Sequence, residues 1–208
     1  SSWCMAKLAE VLPPGTYRRA GAEPGPALFG WVSGQYRFDR YRSDPTPDGP
    51  RVLLTKDVKA IGPALAEAAA VALVRDLVNT PAEDMGPAQL EHEAQLIAKA
   101  HKAEFKVTSG DALERGFPMV HGVGRAAARS HAPRVIELHW GDPAHPKLAI
   151  VGTGVCFASG GLDLKPAAGM RNMKKDMGGA AHAMALGRLI MQADLPVRLV
   201  VLVAAVEN

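Results

Sequence analysis

The residues best suited to chemistry lie between Ala149 and Asn208. Within this run a lysine beside a proline, Lys165-Pro166, follows a glycine-rich turn, and Asp176 opens a helix-like segment. A lysine ammonium can stabilise a developing negative charge, and a carboxylate is a hard oxygen ligand for a divalent cation. Neighbouring glycines let the backbone approach a ligand closely. These residue types and their spacing predict a catalytic centre held by a strand, a turn and a helix.

Two shorter motifs point to other catalytic chemistries, but each lacks a residue that its chemistry needs. His92-Glu93 matches the start of a zinc-peptidase helix, yet Leu96 stands where the second histidine must be. Ser159 precedes two glycines as in a nucleophile turn, yet Phe157 stands in place of the first glycine. We therefore interpret His92-Glu93 as a solvated helix face and reject a serine nucleophile.

A third motif, at residues 122–127, matches the relaxed G-x-G-x-x-A pattern of dinucleotide-binding loops. The strand predicted before it, residues 117–121, is weak because it contains Pro118, and no acidic residue ends a clear second strand about 20 residues later. We interpret the motif as a glycine turn after a short helix. His182, on the helix after Asp176, is either a group near the candidate site or a histidine that packs the helix.

Helices and apolar strands that alternate along the chain must position these residues. The apolar spacing predicts helices at residues 62–78, 87–103, 111–116 and 178–192, with Pro63 in a first turn. Apolar runs predict strands at residues 51–55, 105–108, 134–140, 147–151 and 196–206, and residues 43–50 form a Pro-rich loop. This order is typical of an α/β fold with a mainly parallel or mixed sheet flanked by helices.

Composition and charge argue against several classes of protein. The 208 residues carry a formal net charge of +3 without a basic stripe, so nucleic acid is a poor partner. No apolar run reaches the roughly 18 residues of a membrane span, and the first residues show no secretory signal pattern. Cys4 and Cys156 lie far apart in sequence and favour a reducing compartment. We therefore expect a cytoplasmic protein with no membrane or nucleic-acid partner.

Longer motifs reveal a family resemblance. Residues 152–166 read GTGVCFASGGLDLKP, residues 173–181 read MKKDMGGAA, and the last strand ends in Glu207-Asn208. In order and spacing these motifs resemble the leucine aminopeptidases, whose pattern is G-K-G-V-x-F-D-[ST]-G-G-[LI]-x-[IL]-K-P, then M-K-x-D-M-G-G-A-A and a strand ending in E-N. Residues 36–41 and 75–85 are similar to two further family segments, so the likeness covers most of residues 30–208.

The resemblance implies a domain organisation. Residues 1–58 would be the remnant of an N-terminal α/β domain, residues 59–80 a linking helix, and residues 81–208 the first part of the catalytic metallopeptidase domain. The expected fold is therefore the catalytic-domain core of a leucine aminopeptidase, incomplete at its C-terminal end. The family's activity is the removal of N-terminal residues, leucine preferred, from peptides with a free N-terminus, by a cytoplasmic homo-oligomer, a hexamer.

The resemblance also implies roles for individual residues. Two divalent metals, Zn or Mn, would share a water and polarise the scissile carbonyl. Lys165 would be the catalytic lysine that stabilises the oxyanion, Asp176 a metal ligand, and Met173 part of the pocket for the first side chain. The alternative for Lys165 and Asp176 is a structural ion pair.

Two positions depart from the family pattern where the metals bind. Thr153 stands at the metal-binding lysine and Ala158 at the bridging aspartate, and the chain reaches Asn208 before the family's N-x-D-A-E-G-R segment. Neither a hydroxyl nor a methyl group replaces an anionic bridging oxygen. The expectation is an inactive or severely impaired aminopeptidase, or alternatively a catalytically dead relative that serves as a binding or assembly subunit.

Overall fold

The computed structural model describes residues 1–44 and 49–208. The Pro-rich loop expected at residues 43–50 therefore lies partly outside the described residues. Contacts within the chain divide it into two units, Ser1–Ala72 and Leu73–Asn208. The division falls inside one continuous helix, α3, which runs from Val58–Asn79. The three segments expected from the family resemblance stay a prediction.

The first unit is built on a pair of short parallel strands. It contains α1 (Ala6–Val11), β1 (Gly15–Arg18), α2 (Ala27–Ser33), β2 (Arg51–Leu54) and the beginning of α3. Strand β1 pairs with β2 from Gly15 opposite Arg51 to Arg18 opposite Leu54. Helix α2 contributes Trp31 to one apolar cluster and Phe29 to another. Because the strands are parallel, their carboxyl ends meet at the same edge of the pair.

Helix α3 begins four residues earlier than the sequence predicts. It starts at Val58 rather than at residue 62, so Pro63 lies inside the helix and not in its first turn. The missing N–H of Pro63 leaves the Lys59 carbonyl without its helical partner. Pro63 and Lys59 are both exposed, so water can satisfy that carbonyl and the helix continues through the proline.

The second unit contains a four-stranded mixed sheet with the strand order β3-β4-β6-β5. The strands are β3 (Glu104–Ser109), β4 (Arg134–Trp140), β5 (Lys147–Phe157) and β6 (Arg198–Glu207). Strand β5 runs parallel to β6, whereas β3 with β4 and β4 with β6 are antiparallel. The mixed sheet is confirmed, and a mainly parallel sheet is wrong for this unit. Strand direction depends on how the connections cross the sheet, which composition does not encode.

Two long helices cover the apolar residues of this sheet. They are α4 (Pro87–His101) and α8 (Gly178–Gln192). Their buried residues join alternate residues of β4 and β6 in one core, which includes Leu90, Ala94, Ile136, Leu138, Ala180, Met184, Val201 and Val203. The alternation follows from the period of two in a strand, which directs every second side chain to the same face.

Shorter helices connect the strands and α8 along the sequence. They are α5 (Gly110–Gly116), α6 (Pro118–Gly124), α7 (Ala167–Met170) and two 3-10 helices, Arg129–His131 and Met173–Met177. The strand predicted at residues 117–121 is wrong, since Phe117 caps α6 and residues 118–121 form its first turn. Pro118 is the first residue of that helix, where its missing N–H would have no helical partner. No helix among the described residues is long and apolar enough to cross a membrane.

Candidate active site

The candidate site is built around the loop that follows β5. Near its end β5 contains a bulge between Val155 and Phe157, and Phe157 then pairs with Glu207 of β6. Cys156, at the bulge, is 1% exposed and packs into the core of the sheet. A bulge redirects the side chains beyond it, so it determines how the strand leads into the loop at Ala158.

Main-chain hydrogen bonds extend the pairing of β5 and β6 into this loop. The Asn208 N–H donates to the Phe157 carbonyl at 2.9 Å, and the Ser159 N–H donates to the Asn208 carbonyl at 2.7 Å. The Lys165 N–H then donates to the Ser159 carbonyl at 2.9 Å, which closes the loop from 159 to 165. The loop is therefore anchored to the end of β6 by its backbone.

Glycines are required for this loop to close. Gly160 and Gly161 have φ angles of 103° and 63°, in the left-handed region that side-chain-bearing residues rarely adopt. A Cβ atom at Gly160 would also collide with the Asp163 carbonyl oxygen. The glycine pair that the sequence places before Lys165 therefore has a backbone role in presenting that lysine.

Lys165 is half-buried and points back over the start of the loop. Its Nζ donates a hydrogen bond to the Ala158 carbonyl oxygen at 3.1 Å. The side chain at position 158 is a methyl group, so no carboxylate at that position pairs with the ammonium. Within the described ranges Lys165 forms no ion pair with Asp176, the alternative that the sequence left open.

Asp176 and Met173 lie in the 3-10 helix Met173–Met177, directly before α8. Asp176 is half-buried, and the Met173 side chain is 8% exposed. The Lys174 Nζ donates to the Asn79 carbonyl at 2.6 Å and so ties this turn to the end of α3. Nothing in the spacing of the sequence identified Lys174 as a positioning residue, since its partner is a backbone atom 95 residues away.

Thr153 lies where β5 approaches the beginning of α8. A Cβ atom added to Gly179 would be 3.0 Å from the Thr153 backbone nitrogen, so the strand and helix touch closely here. The 3-10 helix that carries Asp176 also packs against β5. The structure therefore brings Thr153 to the start of the helix that follows Asp176, and separately places Lys165 over Ala158.

The donor groups at these positions do not fit a pair of divalent metals. Thr153 offers a hydroxyl, Ala158 offers no side-chain donor, and Asp176 offers one carboxylate. Two cations bound a few ångströms apart need several anionic oxygens, one of them bridging. Among residues 1–44 and 49–208, no group of three or more His, Cys, Asp or Glu side chains is placed to hold a metal ion.

The end of β6 is fixed by charged side chains that sequence reasoning did not single out. The Glu207 carboxylate contacts the His131 Nδ1, and the neighbouring Arg134 contacts Glu91 of α4. Both pairs are largely shielded from solvent. Because Asn208 anchors the loop before Lys165, the Glu207–His131 contact helps to hold that anchor in place.

Three further features singled out in the sequence, His92, the glycine motif and His182, lie on helices. His92 is exposed on α4, and residues 122–124 end α6. His182 is exposed on α8, and its Nδ1 lies 2.6 Å from the Gly178 carbonyl in the preceding turn. His182 therefore contacts the backbone of its own helix.

Comparison with known proteins identifies the family. A model of the cytosol aminopeptidase family, catalytic domain, matches residues 72–208. The chain belongs to the cytosol aminopeptidase family. The resemblance to the leucine aminopeptidases and the α/β fold are thereby confirmed, and the family is one of metal-dependent aminopeptidases, which are hydrolases.

Individual cytosol aminopeptidases are similar over most of the chain. The probable cytosol aminopeptidase of Rhodococcus opacus (strain B4) is 36% identical over 202 residues, which cover 88% of this chain and 39% of that protein. The crystal structure of the cytosol aminopeptidase from Coxiella burnetii superposes with a TM-score of 0.92 at 44% identity, covering 100% of this chain and 46% of that one. BotP, a bottromycin maturation enzyme solved in complex with Mn, has a TM-score of 0.87 and 32% identity, covering 100% of this chain and 47% of BotP. The chain thus spans less than half the length of these relatives.

Proposed function

We propose that this chain forms part of an aminopeptidase site that accepts the first residue, leucine preferred, of a peptide with a free N-terminus. Family membership and the order of the motifs around Lys165 and Asp176 support this proposal. The Lys165 ammonium would donate a hydrogen bond and a positive charge to the carbonyl oxygen that becomes negative during attack. Met173 would offer an apolar wall to the first side chain.

We further propose that the chain, as its sequence stands, is inactive or severely impaired. The observation that carries this proposal is the pair Thr153 and Ala158, where the family has a lysine and an aspartate. In a complete site Zn or Mn supplies Lewis-acid activation of the carbonyl and of a water. The residues of this chain do not fit those metals, so we assign to it no step that passes through one.

A second function, as a binding or assembly subunit, is supported by what the loop retains. The glycine turn and the anchoring of Lys165 are intact although the metal ligands are replaced. A half-buried ammonium held in a fixed loop can still bind a peptide carbonyl or carboxylate. The family resemblance also leads us to propose a cytoplasmic location and assembly into a homo-oligomer, a hexamer; the names of the cytosol relatives support the location.

The deciding experiment is hydrolysis of a chromogenic leucine amide by the purified 208-residue chain. We expect no turnover above background with added Mn or Zn, because the bridging carboxylate is replaced by a methyl group. A chelator-treated sample gives the background, and the K165M variant is the matched control for residual activity. Turnover that is abolished both by the chelator and by K165M would contradict the proposed inactivity.

A further inference from the structure

We propose that the first unit binds a small oxyanion, a phosphate or a carboxylate, in a basic cavity at the carboxyl ends of β1 and β2. Nothing in the aminopeptidase function assigns a role to this place. It lies within the unit Ser1–Ala72, which precedes the catalytic-domain match at residues 72–208. The proposal is therefore independent of the proposed peptidase function.

The cavity lies where the two parallel strands end. Strand β1 ends at Arg18 and β2 at Leu54, and these two residues are register partners. In open α/β sheets, the crevice outside the carboxyl ends of parallel strands is a common place for ligands to bind. The cavity has a volume of about 180 Å³, below that of pockets for drug-sized ligands and suited to a small ion. Its lining consists of Arg18, Arg19, Gly21, Glu23, Pro24, Leu54, Thr55 and Lys56.

The loop after β1 is folded against the segment after β2, and Glu23 holds the two together. The Glu23 carboxylate accepts a hydrogen bond from the Thr55 hydroxyl at 2.8 Å and another from the Lys56 N–H at 3.0 Å. Within the loop, the Arg19 Nη1 donates to the Glu23 carbonyl at 3.1 Å, and Gly21 adopts a φ of 84°. One wall of the cavity is therefore preorganised by contacts that do not involve a ligand.

The charges around the cavity favour an anion. Arg18, Arg19 and Lys56 contribute three positive charges against the single negative charge of Glu23. The Glu23 carboxylate already accepts the hydrogen bonds from Thr55 and Lys56, and these hydrogen bonds lower its pKa. Among the residues that the structure describes, the Arg18 guanidinium and the Lys56 ammonium make no hydrogen bond or close ion pair, although the charge of Lys56 also acts on the Glu23 carboxylate. Two cationic groups are thus available to a ligand.

The type of cation indicates the chemistry of the ligand. An arginine guanidinium presents parallel N–H donors that match two oxygens of a carboxylate or phosphate, and a lysine ammonium adds a point charge. Lys56 is exposed and Thr55 is half-buried, so this side of the cavity is open to solvent and a free ion can enter. Phosphate and carboxylates share this chemistry, and the experiment distinguishes them.

The test is isothermal titration calorimetry of the full 208-residue chain with sodium phosphate and, separately, with sodium succinate, at constant ionic strength set by chloride. We expect saturable binding of at least one of the two anions. Substitutions R18Q and K56Q should each weaken that binding about tenfold, which corresponds to about 1.4 kcal/mol. Saturation with phosphate alone identifies a phosphate site, and saturation with succinate alone identifies a carboxylate site.

The matched control is K59Q, which removes an exposed lysine of α3 that does not line the cavity. It should leave the dissociation constant unchanged, and circular dichroism should show that every variant is folded. If R18Q fails to fold, K56Q decides the question. The proposal is overturned if neither anion binds saturably, or if K59Q weakens binding as much as K56Q does. Either result would mean that the anion is attracted only by the general positive charge of the chain.

Discussion

At the scale of single residues, the candidate site combines Lys165, which the resemblance predicts to be catalytic, with Thr153 and Ala158 at the positions where it predicts metal ligands. The Lys165 ammonium is held by the Ala158 carbonyl, whereas the side chain at position 158 is a methyl group. The backbone of the loop thus preserves the position of the lysine independently of what residue 158 carries. An alanine at position 158, where the resemblance predicts a bridging aspartate, would therefore remove charge from the site without requiring any change in the path of the chain.

Restoring the two family residues tests how much of the site depends on them. The double variant T153K/A158D should still show no metal-dependent hydrolysis of a leucine amide, because its carboxylates, at positions 158 and 176, supply fewer anionic oxygens than two metals need. Hydrolysis is measured with added Mn or Zn, and the unsubstituted chain is the reference. Chelator-sensitive activity in the double variant alone would show that these two residues suffice.

The two cysteines should react very differently with thiol reagents. Burial, together with the nearby negative charge of Glu207, raises the pKa of Cys156 to about 12, whereas Cys4 is exposed. At about pH 8 we expect one thiol per chain to react with Ellman's reagent in the folded protein and two in urea. The C4S variant should show none until it unfolds. Rapid labelling of folded C4S would mean that the Cys156 side chain is accessible.

The same pKa shift makes stability depend on pH at the alkaline end. The Cys156 thiol has a pKa of about 12 in the folded protein against a usual value of 9.0, so it stays protonated to a higher pH in the folded state than in the unfolded state. Its contribution to stability is therefore fully present below pH 9.0 and is lost as the pH rises through about 12.

At the scale of elements, the close approach of β5 and α8 determines how the site is assembled. Gly152 of β5 faces the first turns of α8, where an added Cβ would be 2.7 Å from the Ala180 Cα and 2.8 Å from the Ala183 Cβ. Since α8 begins directly after the turn that carries Asp176, the separation of helix and strand also fixes the distance between Asp176 and β5. Small residues at this contact are a requirement of the site as well as of the core.

The variant G152A should therefore destabilise the protein by about 1–3 kcal/mol, because the added methyl group meets the backbone of α8. The matched control is G122A, at an exposed helical glycine of α6 with nothing within 4 Å of the added Cβ. It should be neutral or gain about 0.5–1 kcal/mol. Urea unfolding followed by circular dichroism measures both. Equal effects of the two substitutions would contradict a close strand–helix contact.

At the scale of the whole molecule, the chain consists of two units with different candidate ligands. The unit Leu73–Asn208 contains the mixed sheet and the aminopeptidase motifs, and the unit Ser1–Ala72 contains the basic cavity. The described residues include no cluster of side chains suited to a metal ion. We expect metal addition to have little effect on the stability of the molecule, because Thr153 and Ala158 offer no anionic oxygen to a cation.

Thermal unfolding provides a readout of metal binding that does not depend on activity. A ligand at 100 times its dissociation constant stabilises a protein by about 2.7 kcal/mol, which raises Tm by roughly 5–10 °C for a chain of this size. We expect Mn or Zn to change Tm by less than about 1 °C relative to a chelator-treated sample, given the single carboxylate at Asp176. A rise of several degrees that the chelator reverses would show a metal site that the donor groups do not account for.

The amino-acid sequence by itself determined the family, the α/β class and most of the helices and strands. The limits of α8 agree with the predicted residues 178–192, and β4 agrees with residues 134–140, because their apolar periodicity and flanking glycines are local signals. The residue types also determined the conclusion that the candidate site does not fit two divalent metals, since Thr153 and Ala158 have no anionic oxygen wherever they lie in the fold.

Only the tertiary structure decided the directions of the strands and the environment of each side chain. Strands β4 and β6 pair antiparallel although they are distant in sequence. The hydrogen bonds from the Lys165 side chain to the Ala158 carbonyl and from the Lys174 side chain to the Asn79 carbonyl end on backbone atoms, which carry no residue-specific pattern. The same is true of the basic cavity, whose lining residues come from two separate segments of the chain, 18–24 and 54–56. Local periodicity reports which face of an element is apolar, whereas the partners of a polar group are set by the packing of the whole chain.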